Sequence, residues 1–128
     1  MAGAIEVVAL DELHTVWTAA SLTALLDSRR EHGGHFQLSA LGASFPVLDI
    51  LIAGDVAAVH YFPCAKTAGY QALGTIAGAG DAEFLETALG ERIRLPGSVL
   101  LEVEAALRCA AEFAETNDRP TVVDWVRL

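Results

Sequence analysis

The chain has only 2 cysteines in 128 residues, Cys64 and Cys109, set far apart and in no close-spaced motif. Neither a disulfide framework nor a thiolate zinc site can be read from such a pair. Both are expected to be small buried hydrophobes, because free cysteine is among the most buried residue types. Basic residues are also scarce, 8 against 17 acidic ones, for a net charge of -9. That sign argues against nucleic acid or anionic lipid as a direct ligand. It leaves room for a basic protein partner, or for simple solubility. No apolar run reaches the roughly 18 residues a membrane span requires. The start, "MAGAIEVVALDELH", lacks a basic stretch, a long apolar run and a cleavage pattern, so no secretory signal is expected and the cytoplasm is the expected location. Gly74, Gly78 and Gly80 form no phosphate-binding fingerprint and no GxxxxGK[ST] occurs, so no nucleotide cofactor is expected.

What the chain does have is core material. Hydrophobic residues make up 53% and charged ones 20%, with apolar segments from end to end, which fits one domain over residues 1–128. "AIEVVAL" (4–10) reads as a strand ending before Asp11 and Glu12. Ser21 is a candidate cap for a helix through about His32, with Leu22, Leu25 and Leu26 on one face and Gly33-Gly34 as its stop.

The stretch "FPVLDILIAGDVAAVHYFP" has Gly54-Asp55 between two β-rich segments. Gly followed by a polar residue suits a two-residue hairpin turn. The register then follows: Ala53 opposite Val56, Ile52 opposite Ala57, Ile50 opposite Val59, Asp49 opposite His60, Leu48 opposite Tyr61. Leu48, Ile50, Ile52, Ala57, Val59 and Tyr61 share a core face, and Asp49 and His60 lie on the other. "GYQALGTI" reads as a further strand. "DAEFLETALGERIRL" fits either a short helix capped by Asp81 or a hairpin turning near Gly90. A helix is predicted from a Ser98 cap to before Pro120, with Val99, Val103, Ala106, Leu107, Ala110, Phe113 and Ala114 as its apolar stripe. "TVVDWVRL" closes the chain as a strand with Val123 and Trp125 on one face. The order of elements predicts an α+β fold: a mostly antiparallel sheet packed against one long helix in the C-terminal half and a shorter N-terminal helix.

Asp49 beside His60 is half of a nucleophile-activating arrangement, and would make a small hydrolase if a nucleophile joined it. None of Cys64, Ser39 or Ser44 sits in a nucleophile motif, so the pair is expected to be a structural cross-strand contact and no catalytic residue is assigned. "HGGH" (His32 to His35) supplies two imidazoles where zinc needs at least three protein ligands; it reads as a solvated helix end, and no metal is expected. Asp81, Glu83, Glu86 and Glu91 form the densest acidic stretch, with no base until Arg92. With Asp55 at the hairpin tip, Asp81, Glu83 and Glu86 are the candidate partner-binding residues.

Residues 35–128 resemble an immunity protein family of bacterial polymorphic toxin systems, the one numbered first in the usual naming. The resemblance is carried by "GDVAAVHYFP", "GYQALG", "LPGSVLLEVEAALRCAAEFAETNDRP" and "TVVDW" in that order, with Glu102, Phe113, Pro120 and Trp125 at their places in it. The chain departs at Asn117-Asp118, where a helix-ending Gly is expected; Asn also adopts the left-handed conformation. The resemblance implies an α+β domain without enzymatic activity that binds and neutralises a cognate toxin, often a deaminase or nuclease, and it favours the hairpin over residues 83–95. A basic toxin suited to nucleic acid would meet an acidic inhibitor. An acidic chaperone or adaptor for some other protein is the competing expectation.

Overall fold

The computed structural model describes residues 3–128. Strand β1 (Ile5–Ala9) turns directly into β2 (Glu12–Val16), with Ala9 opposite Glu12. The predicted strand is there and ends before the acidic pair, of which Asp11 lies in the turn and Glu12 begins the partner strand. Leu10 makes the turn at φ 57, a left-handed conformation more typical of Gly or Asn. Helix α1 (Ala19–Asp27) follows, with Leu22 and Leu26 fully buried. Its cap is Thr18, whose Oγ1 accepts from the Ser21 backbone at 3.0 Å; Ser21 already lies within the first turn. The helix stops short of His32, because Ser28, Arg29 and Arg30 donate to Ala24, Leu26 and Asp27 in tightening turns.

Strands β3 (Gly34–Ala40), β4 (Val47–Ala53) and β5 (Val56–Phe62) form the centre of the main sheet. The β4–β5 register is the predicted one throughout, from Ala53 opposite Val56 to Leu48 opposite Tyr61, with Gly54 at φ 62 in the turn. Leu48, Ile50, Ile52, Ala57 and Val59 are fully buried and Tyr61 nearly so. Strand β6 (Tyr70–Ala72) pairs with β5, and a second, two-stranded sheet is made by β7 (Ala82–Leu85) and β8 (Arg92–Leu95). Residues 81–95 are thus a hairpin, with Gly90 at φ 92 in its turn.

The long helix α2 runs Val103–Thr116, later than a Ser98 cap would start it. The backbone of 98–102 has other partners. Ser98 and Leu100 carbonyls accept from Gly74 and Thr75, and β9 (Leu101–Glu102) pairs with Ala57 and Val56. Of the predicted stripe, Val103, Ala106, Ala110, Phe113 and Ala114 are fully buried, while Val99 sits in a short 3₁₀ turn ahead of the helix. Asn117 ends α2 at φ 53, as its left-handed tolerance allows, and donates to Phe113 O. Strand β10 begins only at Trp125 and ends at Arg127, so the buried Val123 precedes it.

The main sheet has the order β10-β6-β5-β4-β3-β1-β2 with β9 on β5, and every pairing is antiparallel among the described residues. One face, carrying Ile5, Val7, Phe36, Leu38, Leu48, Ile50 and Val59, packs against both helices. The opposite face is covered only in part. There Leu51, Ala58 and Val56 pack with Phe84, Ile93 and Leu95 of the β7–β8 hairpin around a second, smaller core. No helix among the described residues is long and apolar enough to cross a membrane.

A cleft between the sheet and the β7–β8 hairpin

The outer face of the main sheet carries one continuous cross-strand row. Leu13, Val8, Gln37, Asp49, His60, Gln71 and Val126 stand opposite one another from strand to strand. The hairpin overhangs the middle of this row, leaving a cleft of about 220 Å³ lined by His35, Asp49, His60, Gln71, Glu86 and Ile93 above an apolar floor of Leu51 and Ala58.

Asp49 and His60 face each other as the register requires, yet their side chains do not pair. The Asp49 carboxylate bonds to Nε2 of His35 at 2.8 Å, a diagonal neighbour across β3–β4, where Leu51 is opposite His35. His60 bonds through Nε2 to Ala68 O at 2.7 Å and stacks on Phe62 with ring centroids 4.2 Å apart. Among the described residues, no serine, threonine or cysteine side chain bonds to either imidazole. Cys64 is exposed in the loop after β5, correcting its expected burial; Cys109 is fully buried on α2, where desolvation pushes its thiol up to about 12.

His35 is not a solvated helix end either. Gly33, at φ 81, turns the chain so that His32 stays exposed while His35 enters β3. Its side chain is 19% exposed and that of Asp49 is 18%. The second nitrogen, Nδ1, lies 2.9 Å from Glu86 O at the end of β7. Carboxylate and carbonyl both only accept, so the ring makes both bonds only as the doubly protonated imidazolium. The Asp49 bond raises the His35 pKa above its ordinary 6.5; burial opposes this, and the Asp49 charge and the Glu86 carbonyl reinforce it. An imidazolium with both N–H groups committed has no lone pair with which to take a proton.

The candidate partner-binding residues fall on separate elements. Asp55 is at the β4–β5 tip, where its carboxylate accepts from Arg30 Nη2 at 2.6 Å. Asp55 is therefore tied to the end of α1, and Asp55 and Asp27 together hold the Arg30 pKa above its usual value. Asp81 and Glu83 are exposed on the β7 side of the hairpin, and Glu86 is half-buried at its turn. The sequence shows no base near Glu83, but pairing sets Arg94 directly opposite it and Arg92 opposite Leu85. The acidic stretch is therefore interleaved with arginine. Among the described residues, no group of three or more His, Cys, Asp or Glu is placed to hold a metal.

A larger cleft of about 760 Å³ lies where α2 leads into β10. Its polar groups are turned on one another. Tyr61 donates to Asp118 at 3.2 Å, Trp125 Nε1 donates to Pro120 O at 2.8 Å, and the Arg119 guanidinium lies 4.4 Å from the Tyr70 ring centroid. Burial and then the Asp118 bond push the Tyr61 hydroxyl up to about 12, so it stays neutral and able to donate. Sequence reasoning missed both the His35–Asp49 bond and this cluster. The alternation of His35 with the core residues Phe36 and Leu38 was the available signal for the first, since it puts His35 on the same outer face as Asp49.

The chain matches no family model and no curated protein.

Proposed function

We propose that the domain acts by binding: it is an immunity protein that docks on a cognate toxin and neutralises it by covering the active site or the substrate path. The observation that carries a binding role over a catalytic one is the closed state of the His35–Asp49 pair, with both ring nitrogens engaged at 2.8 and 2.9 Å. The toxin as partner rests on the resemblance over residues 35–128, whose implied α+β fold and hairpin agree with β7 and β8. The net charge of -9 suits a basic target that grips nucleic acid. Asp81, Glu83 and Glu86 on the hairpin are the proposed contact residues, with Asp55 a weaker candidate because Arg30 already holds it.

The test is protection. The product of the gene beside this one is expressed under an inducible promoter with and without the protein, and growth and 1:1 complex formation by size exclusion are followed. Rescue together with a stable complex supports the proposal. Growth arrest in both cultures, with no complex, refutes it and leaves the adaptor reading. Retained protection by His60→Ala with no detectable turnover would set the hydrolase reading aside.

A further inference from the structure

The β7–β8 hairpin is held unevenly. On β7 Phe84 is fully buried and packs with Leu100 and Ala58, so the strand leading into the turn is fixed by apolar contact. Its turn, residues 86–91, is closed on itself by Glu86 N to Glu91 O at 2.7 Å and Gly90 N to Thr87 O at 3.0 Å. Among the described residues, the only hydrogen bond joining the hairpin to the main sheet is the one between His35 Nδ1 and Glu86 O, at 2.9 Å. There is space on both sides of it. The cleft containing His60 and Ile93 lies on one side, and a second gap of about 230 Å³, between Val8, Leu10 and Gln37 below and Thr87 and Ala88 above, lies on the other.

We infer that the hairpin turn is a flap, fastened to the sheet by the His35 imidazolium and released when that ring loses a proton. The neutral ring keeps one N–H and can donate to Asp49 or to Glu86 O, not to both. The carboxylate is the stronger acceptor, so the bond to the hairpin is the one given up. Few groups can substitute. The charged or titratable groups around His35 are Asp49 from β4, the Glu86 carboxylate, His60 from β5, and Arg29, which lines a small pocket beside Gly34 and already donates to Glu12 at 2.8 Å. Neither Arg29, committed to Glu12, nor His60, bonded to Ala68 O, is placed to take over the bond to Glu86 O. Releasing the turn would widen the cleft and move Glu86 and Glu91 relative to the sheet, while Phe84 keeps β7 in place.

The test is an NMR titration of the full chain, and no toxin is needed. Ring ¹⁵N shifts report protonation at each nitrogen of His35, and backbone relaxation reports order at Thr87–Gly90. The expected result is a doubly protonated His35 that titrates above 6.5. With the same midpoint the turn amides should pass from rigid (order parameter about 0.85) to mobile (below about 0.6), while Phe84 stays rigid. Asp49→Asn removes the carboxylate that favours the cation, so both transitions should move together to lower pH. The inference is overturned if His35 titrates while the turn remains rigid, if the turn loosens with a midpoint unrelated to His35, or if Asp49→Asn shifts neither transition.

Discussion

Asp49 and His60 stand directly opposite each other on β4 and β5, yet the Asp49 carboxylate turns the other way and bonds to His35 at 2.8 Å. The two residues should therefore differ in their effect on stability. Asp49→Ala strands a shielded imidazole and removes a charge-assisted bond, at a cost of about 1.5 to 3 kcal/mol. His60→Ala gives up one partly exposed bond and a ring stack, and should cost about 1 kcal/mol or less. Urea unfolding of both variants measures the difference; equal losses would mean that the His35–Asp49 bond contributes little.

The His35 bond should make stability pH-dependent in one direction. Its folded pKa is raised above the ordinary 6.5, so the folded state binds the proton more tightly than the unfolded chain. The contribution is then fully present below about pH 6.5 and lost as pH rises through the folded pKa. His35→Gln lacks this term. The gap in Tm between wild type and His35→Gln should be widest near pH 6 and narrow towards pH 9; a gap that widens with pH would reverse the assigned sign.

Two glycines separate close packing from backbone conformation. A Cβ on Gly97 would overlap the Ala79 carbonyl, whereas at Gly54, φ 62, it meets open space. Gly97→Ala must displace backbone beneath the second core and should cost about 3 kcal/mol or prevent folding. Gly54→Ala incurs only the left-handed penalty, about 1 to 2 kcal/mol. Thermal unfolding ranks them, and a Gly97→Ala protein as stable as wild type would mean that the 79–97 contact can yield.

The parts of the fold that were legible in the sequence are those fixed by neighbouring residues. Gly54-Asp55 and the strict alternation around it determined the β4–β5 register, and the apolar stripe determined the buried side of α2. The β1–β2 hairpin was missed because Leu10 makes the turn without a Gly or Asn. The start of α2 was misplaced because Leu101 and Glu102 are taken up by an edge of β5, a partner more than forty residues away that local propensity cannot report. The site suffered most from this. Asp49 and His60 were correctly opposed, but Asp49 had a choice of partners, and His35 won it through a β3–β4 pairing whose connection carries no two-residue turn signal. Likewise Arg94 reached Glu83 only through the hairpin that local sequence left open.

The proposed function requires the acidic residues of the hairpin to steer the domain onto a basic toxin. Stopped-flow mixing with the cognate toxin domain across an ionic-strength series tests it most directly, using wild type and a variant with Asp81→Asn, Glu83→Gln and Glu86→Gln. Wild type should associate at about 10⁸ M⁻¹s⁻¹ or faster at low salt and slow steeply as salt is added, towards the 10⁵ to 10⁶ of unsteered pairs. The variant should associate more slowly with a flatter salt response, and its Tm should be nearly unchanged because Asp81 and Glu83 are exposed and Glu86 meets the sheet through its backbone carbonyl, which Glu86→Gln keeps. Identical rates and equally flat salt responses for the two proteins would contradict the account.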